Sequence, residues 1–232
     1  MAKGKQRVIA VIGLGTFGVQ LCNELSGKGG KVLAIDNRER PIEKVKDNVS
    51  QSILMDSTNE EAMGQAPFED VDTAIVAIGD NIQASIITTA ILKRIGIPRI
   101  IARAVTEIHQ QILRQVGADQ IVNIEIDEGT RVAQQLISPD ILDLIPISDV
   151  VSLGEVAVPA DFVGKSLKDL DLRNRMKVGI VAIRRFSIGI DEGGNTVRNE
   201  QVVFPNADEV LEELDVLIIV GMNESIDMFK DL

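Results

Sequence analysis

The sequence predicts an α/β protein, a doubly wound parallel sheet followed by a small α+β unit. Three observations carry that expectation. Short, almost wholly apolar runs alternate with helical segments from Arg7 to Asn123, the pattern of parallel strands covered on both faces. Gly13, Gly15 and Gly18 stand at G-x-G-x-x-G spacing directly after the first run. Beyond Ile124 the alternation stops and shorter runs separated by turn signals replace it.

The bulk properties agree with a globular chain. Its 232 residues, 45% apolar and 25% charged, suffice for one or two domains. No apolar run approaches the roughly 20 residues of a membrane span, so no membrane insertion is expected. The N-terminus leads straight into the first strand, without the pattern of a signal peptide. Cys22, the single cysteine, leaves no partner for an internal disulfide and reads as a small core residue of a cytoplasmic protein. A net charge of −11, no Trp or Tyr and only six Phe argue against nucleic acid, which needs phosphate-binding cations and stacking rings. A nest of main-chain N–H groups can still hold an anion in such a chain.

Taken in order, Arg7–Ile12 is the first buried strand. In the glycine turn the first glycine permits the tight turn, the second admits a phosphate to the backbone, and the third lets helix and strand pack closely. Phe17, Leu21 and Leu25 then recur at helical spacing, and Gly27, Gly29 and Gly30 end that helix. Thr16 and Phe17 open it, with free N–H groups and the positive dipole end toward the anion. Lys31–Asp36 is the second strand. Asp36 lies 18 positions after Gly18, close to the roughly 20 at which an acidic residue receives a ribose. Its carboxylate would accept both ribose hydroxyls and repel a 2′-phosphate; Asn37 and Arg38 follow it at the same strand tip. Glu39–Lys46 reads as a solvated charge run.

Ser52–Met55 is a third strand, with Asp56, Ser57 and Thr58 at its end and a helix from Asn59. Thr73–Ile78 is a fourth, followed by Gly79-Asp80-Asn81 and a helix carrying Ile86, Ile87, Ala90, Ile91 and Ile95. Gly96–Pro98 breaks that helix, Arg99–Arg103 is the fifth strand, Glu107–Val116 a helix, and Gln120–Asn123 the sixth strand. Ligands of such sheets sit beyond the carboxyl ends of the strands. Those ends carry Gly13–Gly18, Asp36, Asp56, Ser57, Ala77, Ile78, Gly79, Asp80 and Arg103, which defines a Rossmann-like nucleotide crevice. Asp80 and Asn81 suit helix capping and ligand contact equally; Arg103 suits a phosphate or a neighbouring carboxylate equally.

Asp127–Ile137 reads as a helix ended by Ser138-Pro139. Ile141–Ile145, closed by Pro146, is a short apolar segment with residues to spare for a partner subunit. The small unit then offers Val151–Val158, a short helix within Gly164–Arg173, a strand Val178–Arg184, a tight turn before Ser187–Ile190, a hairpin turn at Asp191–Asn195, and Gln201–Phe204. An acidic turn at Asp208–Leu214, with a solvated run Glu209–Glu213, precedes the last buried strand Val216–Val220 and a terminal helix Ser225–Phe229. The expected division is 1–125 for nucleotide binding, 126–146 as a helical crossover or hinge, and 147–232 as the C-terminal domain.

An NAD-dependent dehydrogenase is one reading of this layout, but it needs a proton-transfer residue beside the nicotinamide. There is no Tyr, and His109, the single histidine, falls inside a helix, where packing is the better reading. No cluster at metal-ligand spacing and no P-loop occurs. A nucleotide site without a catalytic group is the design of a ligand-responsive regulator.

The stretch Val11-Ile-Gly-Leu-Gly-Thr-Phe-Gly18, with Asp36, Asp56-Ser-Thr58, Ala77-Ile-Gly-Asp-Asn-Ile-Gln-Ala-Ser85 and Gly117-Ala-Asp119, resembles the RCK (KTN) domains of the KtrA/TrkA family. Gly164-Lys-Ser-Leu167, Leu172-Arg173 and Val178–Ala182 resemble the family's C-terminal domain. The resemblance implies a non-enzymatic cytosolic subunit, peripheral to the inner face of the membrane, that binds ATP, ADP or NAD(H). It implies dimers that assemble into an octameric ring under a membrane-embedded, KtrB- or TrkH-like K⁺ transporter subunit and gate it. Relatives often carry Arg where this chain has Thr16, a residue that helps hold the terminal phosphate of ATP. Glu125 matches an acidic position near the dimer interface that can bind a divalent cation, and suits an ordinary surface carboxylate as well. Some relatives bind cyclic di-AMP at the C-terminal domain, where Arg173 is the candidate contact.

Overall fold

The structure, a computed structural model, describes residues 6–137, 141–190 and 195–231. Contacts divide the chain into Met1–Asp127 and Glu128–Leu232. In the first unit β1 (Val8–Ile12), α1 (Thr16–Gly27), β2 (Lys31–Asp36), α2 (Glu39–Val45), β3 (Gln51–Leu54), α3 (Glu60–Gln65), β4 (Thr73–Val76), α4 (Ile82–Ile95), β5 (Ile100–Arg103), α5 (Glu107–Gln115) and β6 (Gln120–Val122) alternate as expected. The strands form a parallel sheet in the order β3-β2-β1-β4-β5-β6. The order reverses between β1 and β4, which opens a crevice at their carboxyl ends.

Successive strand residues face opposite layers. Ala10, Ile12, Leu33 and Ile35 pack with Met63 of α3, Ile91 and Leu92 of α4 and Leu113 of α5. Val11, Val32 and Ala34 pack with Cys22 of α1 and with Ile42 and Val45 of α2. Cys22 is fully buried, and burial pushes its thiol pKa up to about 11, so the thiol stays protonated and is packing material. His109 is likewise buried in α5; burial lowers its pKa, and its Nδ1 accepts from the Val105 N–H (3.4 Å).

The run Glu39–Lys46 is helical where the sequence suggested only a solvated face. Pro41 falls in the first turn, where a missing N–H costs nothing, and Ile42 and Val45 are the buried pair that docks α2.

α6 (Ile124–Ile137) leads into the second unit. There β7 (Ile141–Pro146), β8 (Val151–Ala157), α7 (Leu167–Leu170), α8 (Leu172–Arg175), β9 (Val178–Ile190), β10 (Thr196–Val203), β11 (Val216–Met222) and α9 (Asn223–Asp227) follow in order. The sheet is antiparallel, in the order β10-β9-β11-β8-β7. Its core gathers Val156, Leu170, Leu172, Ile183, Leu217, Ile219 and Ile226, with Phe162 and Phe229 edge to face at 6.2 Å.

Three expectations change here. Residues 141–146, assigned to a helical crossover, form an edge strand: Ile141 points into the core, and Pro146 sits at the strand end where its missing donor is harmless. β9 runs through Arg184–Phe186 without the expected turn. Arg184 reaches Glu155 on β8 (2.5 Å), and Arg185 reaches Glu209 (3.1 Å), Glu212 (3.1 Å) and Asp215 (2.9 Å) of the loop before β11, so carboxylates of other segments keep both charges inside a continuous strand. The run Glu209–Glu213 is therefore the other half of that network rather than a free surface, and Leu211 within it is buried. The expected turn at 191–195 lies outside the described residues except for Asn195.

Two stability effects are expected. A Cβ at Gly18 would run into the Gly13 carbonyl oxygen, whereas one at Gly27 would meet open space. Gly18→Ala should cost about 1–3 kcal/mol and Gly27→Ala should leave stability unchanged or raise it by up to about 1 kcal/mol, compared by thermal melting. Asp215→Ala should cost about 2–4 kcal/mol, since Arg185 keeps only part of its compensation in a largely buried site. A denaturation midpoint equal to wild type would mean that the network carries no stability.

Candidate functional site

The carboxyl ends of β1, β2, β3 and β4 are stitched past the sheet proper by main-chain bonds. Gly13 N–H donates to Ile35 C=O (2.8 Å), Ala77 N–H to Ile12 C=O (2.7 Å) and Met55 N–H to Asp36 C=O (2.9 Å). Gly13 has φ +93°, and a Cβ there would lie 2.8 Å from Ile78 Cγ1, so glycine is required twice over. α1 begins at Thr16, and its first internal bond runs from Val19 N–H to Gly15 C=O (3.0 Å). The N–H groups of Thr16, Phe17 and Gly18 precede that bond. No acidic side chain stands in the first turn to compete for an anion.

These loops enclose a cleft of about 660 Å³. Of the residues expected from the sequence, Gly13, Gly15, Asp36, Asn37, Arg38, Asp56, Ser57, Ala77, Ile78, Gly79, Asp80 and Arg103 all line it. Thr16, Phe17 and Gly18 do not. Thr16 is exposed at the helix start, Phe17 is partly buried against the core cluster that includes Cys22, and Gly18 is buried, which leaves the Thr16 side chain and the main-chain N–H groups as the parts available to a ligand. Ile12, Ile35, Asn81 and Ala84 also line the cleft. Ile12 and Ile35 were readable only as core, because a strand's last inward residue doubles as a cleft floor; Ala84 follows from the first turn of α4.

Asp36 is the best-connected side chain of the site. Oδ2 accepts from the Leu14 N–H (2.6 Å) and Arg38 Nη2 (3.3 Å), and Oδ1 from the Arg38 N–H (2.9 Å) and Nε (3.0 Å). Burial pushes its pKa up; the bonds from Arg38 and Leu14 outweigh that and hold the carboxyl below its ordinary value. Arg38 also lies 3.9 Å from Asp80.

Asn81 caps α4, accepting from the Ala84 N–H (3.0 Å), while Asp80 stays exposed beside Arg38. Asn81 therefore takes the capping role, and both residues line the cleft. Asp56 accepts from the N–H (2.9 Å) and hydroxyl (2.8 Å) of Thr58, and Ser57 bonds Thr88 (2.8 Å) in the interior. The Arg103 guanidinium lies against Gly79, where a Cβ would come within 2.6 Å of it, and pairs with Glu125. Glu125 stands in the first turn of α6. A hydrogen bond from its own backbone, then Arg103, lowers its pKa. Among the described residues no group of three or more His, Cys, Asp and Glu is arranged to hold a metal ion.

Comparison with known proteins follows the division of the fold. The TrkA-N domain matches residues 9–124 and the TrkA-C domain residues 153–232. Ktr system potassium uptake protein C of Bacillus subtilis (strain 168) is 36% identical over 225 residues, 97% of this chain and 96% of the relative. The structure of the GsuK channel bound to NAD superimposes with a TM-score of 0.63 at 15% identity over 100% of this chain, which spans 40% of that channel's length. The structure of GsuK bound to ADP matches with a TM-score of 0.50 at 26% identity, over 58% of this chain and 35% of that one. With one family domain on the parallel sheet, the other on the antiparallel sheet, and a curated relative similar along nearly its whole length, the chain belongs to the TrkA family of RCK subunits.

Proposed function

We propose that the chain is the nucleotide-binding regulatory subunit of a K⁺ uptake system, holding ATP, ADP or NAD(H) in the cleft of its parallel sheet and gating a membrane-embedded, KtrB- or TrkH-like partner. The observation that carries this reading is the meeting of Asp36, a buried charged acceptor, with the bare N-terminus of α1 across one crevice. Membership in a family with a Ktr potassium uptake protein supplies the process, and the likeness to GsuK bound to ADP favours an adenine nucleotide. The dehydrogenase alternative finds the chain's one imidazole buried in α5 instead of in the cleft.

In this reading the phosphates rest on the main-chain N–H groups of Thr16–Gly18, Gly13 and Gly15 allow their approach, and the ribose turns to Asp36. Asn37, Ala77, Ile78 and Gly79 line the sugar and base, and Arg103 stands at the anionic end. Thr16 contributes a hydroxyl where relatives place a guanidinium, so selection between ATP and ADP rests on other groups. The exposed Ile126, Val132, Leu136 and Ile137 of α6 support pairing of two copies, and dimers would assemble into a ring of eight. A divalent cation at Glu125 and cyclic di-AMP near Arg173 on α8 belong to the same proposal. Among the described residues no helix is long and apolar enough to cross a membrane, and the subunit would act from the cytoplasmic face.

Gating is a population shift. A nucleotide that prefers one ring state tenfold contributes about 1.4 kcal/mol per site, and coupled sites add their preferences. Native mass spectrometry should show a ring of eight carrying nucleotide. An empty ring would remove the sensing role, and a nucleotide-bound dimer would restore the dehydrogenase reading. Asp36→Asn should weaken ADP binding about tenfold in calorimetry, the loss of charge-assisted bonds to ribose hydroxyls; an unchanged affinity would sink the ribose assignment.

A further inference from the structure

An ionised carboxylate offers about four lone-pair positions to donors. At Asp36 two are held by main-chain groups that the fold fixes, the Leu14 N–H on Oδ2 and the Arg38 N–H on Oδ1. The other two are held by one side chain, with Arg38 Nε on Oδ1 and Nη2 on Oδ2. The guanidinium thus places one bond on each oxygen, as the two hydroxyls of a ribose would. The main-chain donors can stay when a sugar arrives, but the guanidinium cannot. Its side chain is 53% exposed, and its Nη1 already leans toward Asp80 across the cleft, so it has a second carboxylate to turn to when it leaves.

We propose that Arg38 is a built-in competitor of the ribose, closing the sugar acceptor of the empty cleft and setting both its affinity and its preference for ribonucleotides. This inference rests on the adenine-nucleotide reading above and adds to it the residue that opposes binding. A vicinal diol replaces both guanidinium bonds one for one. A 2′-deoxyribose fills only one of those positions, so the guanidinium can keep its bond to the other oxygen and the competitor penalises that sugar less. A fork at a half-exposed site is worth little in absolute terms, about a two- to fivefold factor in affinity. That size tunes occupancy without abolishing binding.

The test is calorimetry of ADP and of 2′-deoxy-ADP on the full chain and on Arg38→Gln. The half-exposed position makes folding of the variant safe, and a melting curve checks it. Arg38→Gln should bind ADP about two- to fivefold more tightly than wild type, with a smaller gain for 2′-deoxy-ADP. Binding by the variant alone also supports the competitor. An ADP affinity equal to or weaker than wild type overturns it and leaves the nucleotide reading standing, with Arg38 a ligand contact or a bystander. Equal gains for both nucleotides overturn it in favour of a charge effect. Failure of both proteins to bind ADP overturns the nucleotide reading and the competitor together.

Discussion

The hydrogen bond from the Leu14 N–H to Asp36 Oδ2, 2.6 Å long and buried, is the contact on which the cleft at the carboxyl ends of the parallel strands depends. It joins the glycine turn after β1 to the tip of β2, beside the main-chain bonds Gly13 to Ile35 and Ala77 to Ile12. A carboxylate in so buried a place would cost several kcal/mol of desolvation if it were alone. Two main-chain donors and a guanidinium offset that cost, and the residual field holds the group ionised. The anion that would orient a ribose is therefore also the anchor of the loop that would orient the phosphates. Neither role can be altered without the other.

Much of this was legible in the residues. The parallel sheet followed from apolar runs too continuous for a half-exposed strand. The cleft followed from glycine spacing and from the rule that ligands gather at strand ends. What escaped notice shares a cause: charged or imino residues were read as interruptions when their partners lay far along the chain. The charges of Glu39–Lys46 hid α2, whose buried pair Ile42 and Val45 lies between them. Arg184 and Arg185 hid the middle of β9, because Glu155, Glu209, Glu212 and Asp215, which neutralise them, come from other elements. Pro146 hid an edge strand. In the cleft, Arg38 stood two residues from Asp36 in plain view, yet no spacing rule tells whether such a cation turns toward the carboxylate or toward a ligand.

The two units solve the same electrostatic problem differently. The parallel sheet places Asp36, Asp56 and Arg103 at or just beyond the carboxyl ends of its strands, around the cleft. The antiparallel sheet carries Arg185 on the core-facing side of β9, near Ile183, and closes three carboxylates around it. Asp215 is 2% exposed and also accepts from the Glu212 N–H (2.9 Å), so this network fixes the loop ahead of β11 as firmly as any apolar contact.

The phosphate end of the cleft is built from main chain, with Thr16 exposed and Phe17 turned to the core. An anion held by peptide N–H groups is indifferent to the side chains that carry them. Over evolutionary time, most substitutions at the start of α1 would leave the capacity to hold a phosphate intact. Gly13 and Gly18 are the exception, since a Cβ there runs into Ile78 or into the Gly13 carbonyl oxygen. On the reading proposed above, a lineage of such subunits can change the rest of the cleft, and with it the nucleotide, while keeping the seat for a phosphate.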